Sequence, residues 1–172
     1  MEIVRCNWVS NDALYMKYHD EEWGKPVFDD ATIFEFLVLE SFQAGLSWIT
    51  ILKKRENFRL AFDSFDYKKI SKYNQEKVEE LLLNEGIIHH RGKIEAAISN
   101  AKLFLLIQEE FGSYSDYLWA FVNQTPVLNV FETLKDVPPK TELSDKIAKD
   151  LKKRGFKFMG STTVYAFMQA VG

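Results

Sequence analysis

Apolar residues along the chain recur mostly at three- and four-residue intervals, the period of a helix with one buried face. Over about 31–43, Ile33, Phe36, Leu37 and Glu40 share a stripe, and Asp29-Asp30 just ahead of it can cap a helix. Gly45 breaks the pattern, and Ser47 opens a second helix carrying Trp48, Ile51 and Leu52. Further helices are expected near 56–63, 75–84 and 92–111, the last with Ile94, Ala97, Ile98, Ala101 and Leu105 facing inward. Another is expected over 113–123. Residues 125–140 hold three of the four prolines and read as a long loop. Ser144 is placed as the cap of a helix running to Arg154, and a final helix covers about 161–170. Alternating strand patterns are nearly absent, so the expected class is all-α. Without repeats, low-complexity stretches or linkers, residues 1–172 read as a single helical domain, or as helical lobes around one cleft.

Composition adds two points. With 47% apolar residues the chain can bury a proper core, and 14 Phe, 7 Tyr and 4 Trp leave rings to spare for stacking on a flat ligand. A single cysteine, Cys6, excludes an internal disulfide framework and suits a reducing compartment. No apolar run approaches the roughly 20 residues of a membrane span, and the N-terminus lacks a signal-peptide pattern. A cytoplasmic monomer without a membrane partner is expected. The formal charge of −3 gives no general support to nucleic-acid binding, which would have to come from local clusters. Two exist: Lys53-Lys54-Arg55, and the run KDLKKRGFK at 149–157, with five basic residues against one acid. Either can also be an ordinary solvated helix face.

Three constellations could carry chemistry. The segment 144–170 reads as helix, tight hairpin, helix, with Gly155 and Gly160 bracketing the hinge. A glycine before a second helix leaves the N–H groups of Ser161, Thr162 and Thr163 free at the positive end of the helix dipole, which suits a phosphate, with Lys157 nearby. A plain corner between two helices would use the same glycines. Glu40 is the second: a carboxylate on an apolar stripe is costly unless paired, so it either forms a structural ion pair or cap, or faces a pocket. The bend at Gly45 and the ring of Trp48 close by favour a pocket. The third is the stretch holding Trp8, Tyr15, Tyr18 and Trp23, interleaved with Cys6 and His19. Such rings either pack in a core or wall a slot for a planar base.

The runs CNWV (6–9), YHDEEWG (18–24), AGLSWITILKKREN (44–57), GIIHHRGKI (86–94), SDYLWAFVN (115–123) and LKKRGFKFMG (151–160) resemble, end to end, the 3-methyladenine DNA glycosylase I family. That family belongs to the helix-hairpin-helix DNA glycosylases. The resemblance implies hydrolytic release of 3-methyladenine from alkylated double-stranded DNA, leaving an abasic site. It makes Trp8, Tyr15, Tyr18, Trp23, Glu40 and Trp48 the base pocket. Glu40 and Tyr18 would hydrogen-bond the flipped base, and Trp48 would stack on it, with Glu40 the residue closest to catalysis. The hinge with Lys157, Gly160, Ser161, Thr162 and Thr163 becomes the DNA-binding hairpin. Leu46, on the turn 44–46, becomes an apolar wedge at the lesion. The alternatives are a non-catalytic helix-hairpin-helix module and a glycosylase of broader alkylbase range.

Two further expectations follow from the resemblance. No cofactor is needed for the chemistry. Family members bind a structural zinc through an N-terminal Cys and His, matching Cys6 and His19, and a His and Cys in a C-terminal tail. The present chain reaches only Gly172, and His89 and His90 belong to another segment, so only half a tetrahedral site is expected. Lyase members of the superfamily carry a lysine nucleophile two residues after the second hairpin glycine. The matching position here is Thr162, which implies a monofunctional enzyme.

Overall fold

In the computed structural model, residues 2–172 are described, and they form nine α-helices with no strand among them. These are α1 (Ala13–Glu21), α2 (Asp30–Gln43), α3 (Trp48–Ala61), α4 (Tyr67–Ile70), α5 (Gln75–Leu82), α6 (Arg91–Phe111), α7 (Tyr114–Ala120), α8 (Glu142–Arg154) and α9 (Ser161–Val171). The class is all-α, as the apolar spacing predicts.

Helix α2 is the central element. The Asp29 carboxylate accepts from the Thr32 N–H at 2.8 Å and caps it. Ile33, Phe34, Phe36, Leu37, Val38, Leu39 and Phe42 are all buried, so α2 is apolar on every side. A helix of that kind must be enclosed. It is, by α3, α6, α7 and α9. Glu40 therefore sits deep in the molecule because its whole helix does.

Several boundaries differ from those the pattern predicts. The stretch 56–61 is not a separate helix but the end of α3. The chain leaves α3 through Asp63, Ser64 and Phe65, at φ 51, 54 and 57, and then forms the short α4. Side chains other than glycine rarely take that conformation. Helix α1 is capped by Asp12, whose carboxylate accepts from the Leu14 and Tyr15 N–H groups. The inward stripe of α6 ends on Phe104 and Ile107, while Leu105 is half-buried. The cap of α8 is Thr141, not Ser144: the Thr141 hydroxyl accepts from the Ser144 N–H and the Ser144 hydroxyl from the Thr141 N–H. This is a capping box in which serine takes the place of the usual glutamate. The expected loop over 125–140 is irregular apart from a 3₁₀ turn at Leu134–Asp136.

Candidate active site

Helices α8 and α9 pack against each other and are joined by the hinge. Gly155 ends α8 at φ 101, in the left-handed region that a side chain would resist, and its N–H returns to the Leu151 and Lys152 carbonyls. Gly160 precedes α9, and no side chain caps that helix. The first N–H groups of α9, at Ser161, Thr162 and Thr163, are left for an external acceptor. The Ser161 hydroxyl itself pairs with Ser144 Oγ at 2.8 Å, so this serine has only its backbone to offer. Of the basic run, Lys149, Lys152, Lys153 and Lys157 are exposed. Arg154 is tied to Asp150 and Glu110. The second cluster does not form a basic patch. Arg55 is buried, ion-paired to Glu22 and Glu35, and Lys53 lies 3.6 Å from Asp12.

The turn after α2 faces this hairpin. Gly45 stands at φ 81 and Leu46 is exposed. A groove of about 250 Å³ separates Ala44-Gly45-Leu46 from Thr162 and Thr163. The apolar tip and the uncapped helix N-terminus thus form opposite walls of one channel.

Sharing Gln43 and Ala166 with that groove, a cleft of about 1290 Å³ is lined by Trp8, Tyr15, Tyr18, Trp23, Glu40 and Trp48, with segments of 126–134 and of α9. All six residues expected at a base pocket meet there. They divide into two groups. Trp8 lies 5.2 Å from Tyr15 and 5.2 Å from Trp23, centroid to centroid, and makes one wall. Tyr18 and Trp48, 5.5 Å apart, flank Glu40. Glu40 Oε2 and Trp48 Nε1 are both sealed from solvent, and neither has a hydrogen-bond partner among the described residues. An orphaned buried carboxylate oxygen gains several kcal/mol when a donor or a cation reaches it.

Burial alone pushes the Glu40 carboxyl up to about 8, with no cation to oppose it. Burial, then the neighbouring Glu40, also holds the Tyr18 phenol protonated, keeping it a donor. The raised carboxyl has a stability consequence. Between the usual carboxylate range and pH 8 the folded chain keeps a proton that the unfolded chain has lost. Glu40's own contribution to stability is therefore full below about pH 4.5 and declines by about 1.4 kcal/mol per pH unit up to about 8. Glu40→Gln removes this penalty. Its melting temperature should rise relative to wild type between pH 5 and 8, by about 2–4 °C for each kcal/mol recovered. Parallel melting curves for the two proteins across that range would show instead that Glu40 ionises normally.

Cys6 and His19 do come together: His19 Nε2 accepts from the Cys6 N–H at 3.4 Å, and His19 Nδ1 lies 3.0 Å from Asp20 Oδ1. Among the described residues no group of three His, Cys, Asp or Glu side chains is placed to hold a metal ion.

Lys93 and Asn100 are two buried polar residues that the sequence pattern does not single out, and both hold parts of this site. A lysine or an asparagine gives no sign in sequence of the backbone it will meet in the fold.

A family model for methyladenine glycosylase matches residues 8–172. The DNA-3-methyladenine glycosylase of Haemophilus influenzae is 51% identical over 169 residues, covering 98% of this chain and 91% of that protein. DNA-3-methyladenine glycosylase 1 of Escherichia coli is likewise 51% identical over 168 residues, covering 98% and 90%. A crystal structure of a 3-methyladenine DNA glycosylase I superimposes with a TM-score of 0.95 at 52% identity, covering 98% of this chain and 93% of that one. The Staphylococcus aureus glycosylase, solved to show how 3-methyladenine is recognised, gives 0.94 at 39% identity, covering 98% and 89%. Sequence and architecture agree along nearly the whole length: the chain belongs to the methyladenine glycosylase family.

Proposed function

We propose that this chain is a DNA glycosylase that takes 3-methyladenine out of alkylated double-stranded DNA and hydrolyses its bond to the sugar, leaving an abasic site. The observation that carries this reading is the unpartnered Glu40 Oε2 and Trp48 Nε1, buried in an aromatic cleft that adjoins the hairpin groove at Gln43 and Ala166. The hairpin holds phosphate through the N–H groups of 161–163 and through Lys157, as a monomer. Leu46 fills the gap in the stack, and the flipped base enters between Trp48, Tyr18 and the rings of Trp8, Tyr15 and Trp23.

The chemistry follows from the charge on the substrate. Alkylation at N3 makes the adenine cationic and weakens its glycosidic bond, so no strong general acid is required to help it leave. Each aromatic face attracts a cation by about 0.5–2 kcal/mol. An ionised carboxylate about 4 Å away adds about 4 kcal/mol of attraction at an effective dielectric of about 20. Glu40 is protonated in the empty pocket at neutral pH, and the field of the arriving cation lowers its proton affinity so that the proton passes to water. Undamaged adenine, which is neutral, gains none of this. Water then attacks the sugar carbon, and no cofactor takes part.

Incubation with alkylated duplex DNA, followed by identification of the liberated bases, tests the proposal. Release of 3-methyladenine is expected. Binding without release would leave only a helix-hairpin-helix binding module, and comparable release of other alkylated bases would widen the substrate range. The strand itself should stay intact. Thr162 stands where a lyase lysine would, and its hydroxyl forms no imine. Borohydride is therefore expected to trap no covalent complex with abasic DNA. A trapped complex that disappears when one lysine is replaced would overturn the monofunctional assignment.

A further inference from the structure

Helix α6 carries two buried polar side chains that neither the base pocket nor the hairpin groove uses directly. Lys93 is 5% exposed, and its Nζ donates to the Phe42 carbonyl at 2.9 Å and to the Ala44 carbonyl at 2.6 Å. These carbonyls lie at the end of α2, where intrahelical donors run out and the helix dipole is negative. The next residues are Gly45 and Leu46 of the wedge turn. Two turns further along α6, on nearly the same face, comes Asn100. Its Nδ2 donates to the Lys157 carbonyl at 2.9 Å, and its Oδ1 accepts from the Lys157 N–H at 3.0 Å. Phe158, the next residue of the hairpin, holds φ 57 and sets its ring edge-on to His90, the residue that caps α6. A phenylalanine in that conformation is strained by about 1–2 kcal/mol and persists only where its neighbours are fixed.

We propose that α6 is the spacer that keeps the wedge turn and the phosphate hairpin in register, with Lys93 and Asn100 as the positioning residues at its two attachments. This rests on the glycosylase reading above. The two elements it holds are the opposite walls of the groove between Leu46 and Thr162-Thr163. A strand gripped by its phosphates on one wall is opened by Leu46 on the other only at one separation. A hydrocarbon at position 93 would fill the same space without the cost of burying an ammonium group. The ammonium is what ties the two carbonyls, and with them the turn, to α6.

The test compares wild type, Lys93→Met, Asn100→Ala and the double variant in two assays. One is release of 3-methyladenine from alkylated duplex DNA, and the other is binding of free 3-methyladenine followed by tryptophan fluorescence. Each single variant is expected to lower kcat/KM on DNA on the order of 10- to 100-fold, with free-base affinity within about twofold of wild type. The double variant should be about as impaired as the worse single one, because a spacer detached at one end has little more to lose. Multiplying effects, or free-base affinity falling in step with base release, would reduce the two residues to independent local braces and overturn the proposal. Should Lys93→Met fail to fold, Asn100→Ala alone decides, and unchanged kcat/KM would overturn the proposal. A wild-type chain that releases no base would instead sink the glycosylase reading.

Discussion

Glu40→Gln should release 3-methyladenine from alkylated DNA roughly 10- to 150-fold more slowly than wild type at neutral to mildly alkaline pH, while remaining fully folded. The magnitude is that of one charge-assisted hydrogen bond, about 1.5–3 kcal/mol. Glutamine is nearly isosteric, so the packing of α2 around Ile33, Phe36 and Leu37 survives. What changes is that the mutant can neither become negative nor offer acceptors alone, since its amide nitrogen brings donors. The deficit should also depend on pH in a defined direction. At pH 6 wild-type Glu40 is protonated in the free enzyme and resembles glutamine, whereas near pH 8 it is half ionised. The ratio of kcat/KM values, which reports the free enzyme, should therefore widen as pH rises through about 8. The charge of the N3-alkylated nucleotide is fixed and does not titrate against this trend. Near-normal release by a folded Glu40→Gln protein would make Glu40 a structural acid, and the pocket assignment would fall with it.

The inward position of Glu40 was legible because the apolar residues around it repeat with a helical period, and that period placed the acid among them. The hairpin was legible as a helix-turn-helix from glycines at 155 and 160, but a plain corner would use the same glycines, and only the family resemblance separated the two. Chain reversal without glycine was not legible. Asp63, Ser64 and Phe65 adopt positive φ because buried Phe65 and Ile70 pull α4 onto the core, and local propensity alone would not place a turn there. Helix α1 is not legible in the sequence because its cap, Asp12, precedes a stretch whose rings face a cleft instead of forming one apolar stripe. Buried cations were hidden most completely. Arg55 stands beside Lys53 and Lys54 in a run that reads as solvated surface, yet only Arg55 turns inward. Its reason lies 33 residues upstream, at Glu22.

That arginine supports the second large effect: Arg55→Met should destabilise the protein by about 1.5–3 kcal/mol, the worth of hydrogen bonds to charged groups, because Glu22 can turn to solvent and Glu35 keeps Arg59. For a chain of this size that lowers the melting temperature by roughly 3–12 °C. Arg55 is 8% exposed. Its Nη1 and Nη2 hold both oxygens of Glu22 at 2.8 and 2.7 Å, its Nε reaches Glu35 at 3.0 Å, and its guanidinium lies 5.2 Å from the centre of the Phe36 ring. Methionine keeps much of the stem's packing, so the loss reads the charge and its hydrogen bonds. Glu35 keeps Arg59 at 2.7 Å, which limits the damage on α2. Glu22 keeps nothing comparable. It closes α1, between Tyr18 and Trp23, so the arginine is what fixes one side of the base cleft to α2 and α3. Free 3-methyladenine should accordingly bind Arg55→Met more weakly even below its lowered melting temperature. Arg55→Lys should recover only part of both losses, since an ammonium cannot span the Glu22 fork and Glu35 together. Thermal melts with base titrations on the same samples check both expectations. A stability change under about 1 kcal/mol would show that the network behaves as an exposed surface pair, and unaltered base binding would show that α1 is held to the cleft by its aromatic packing alone.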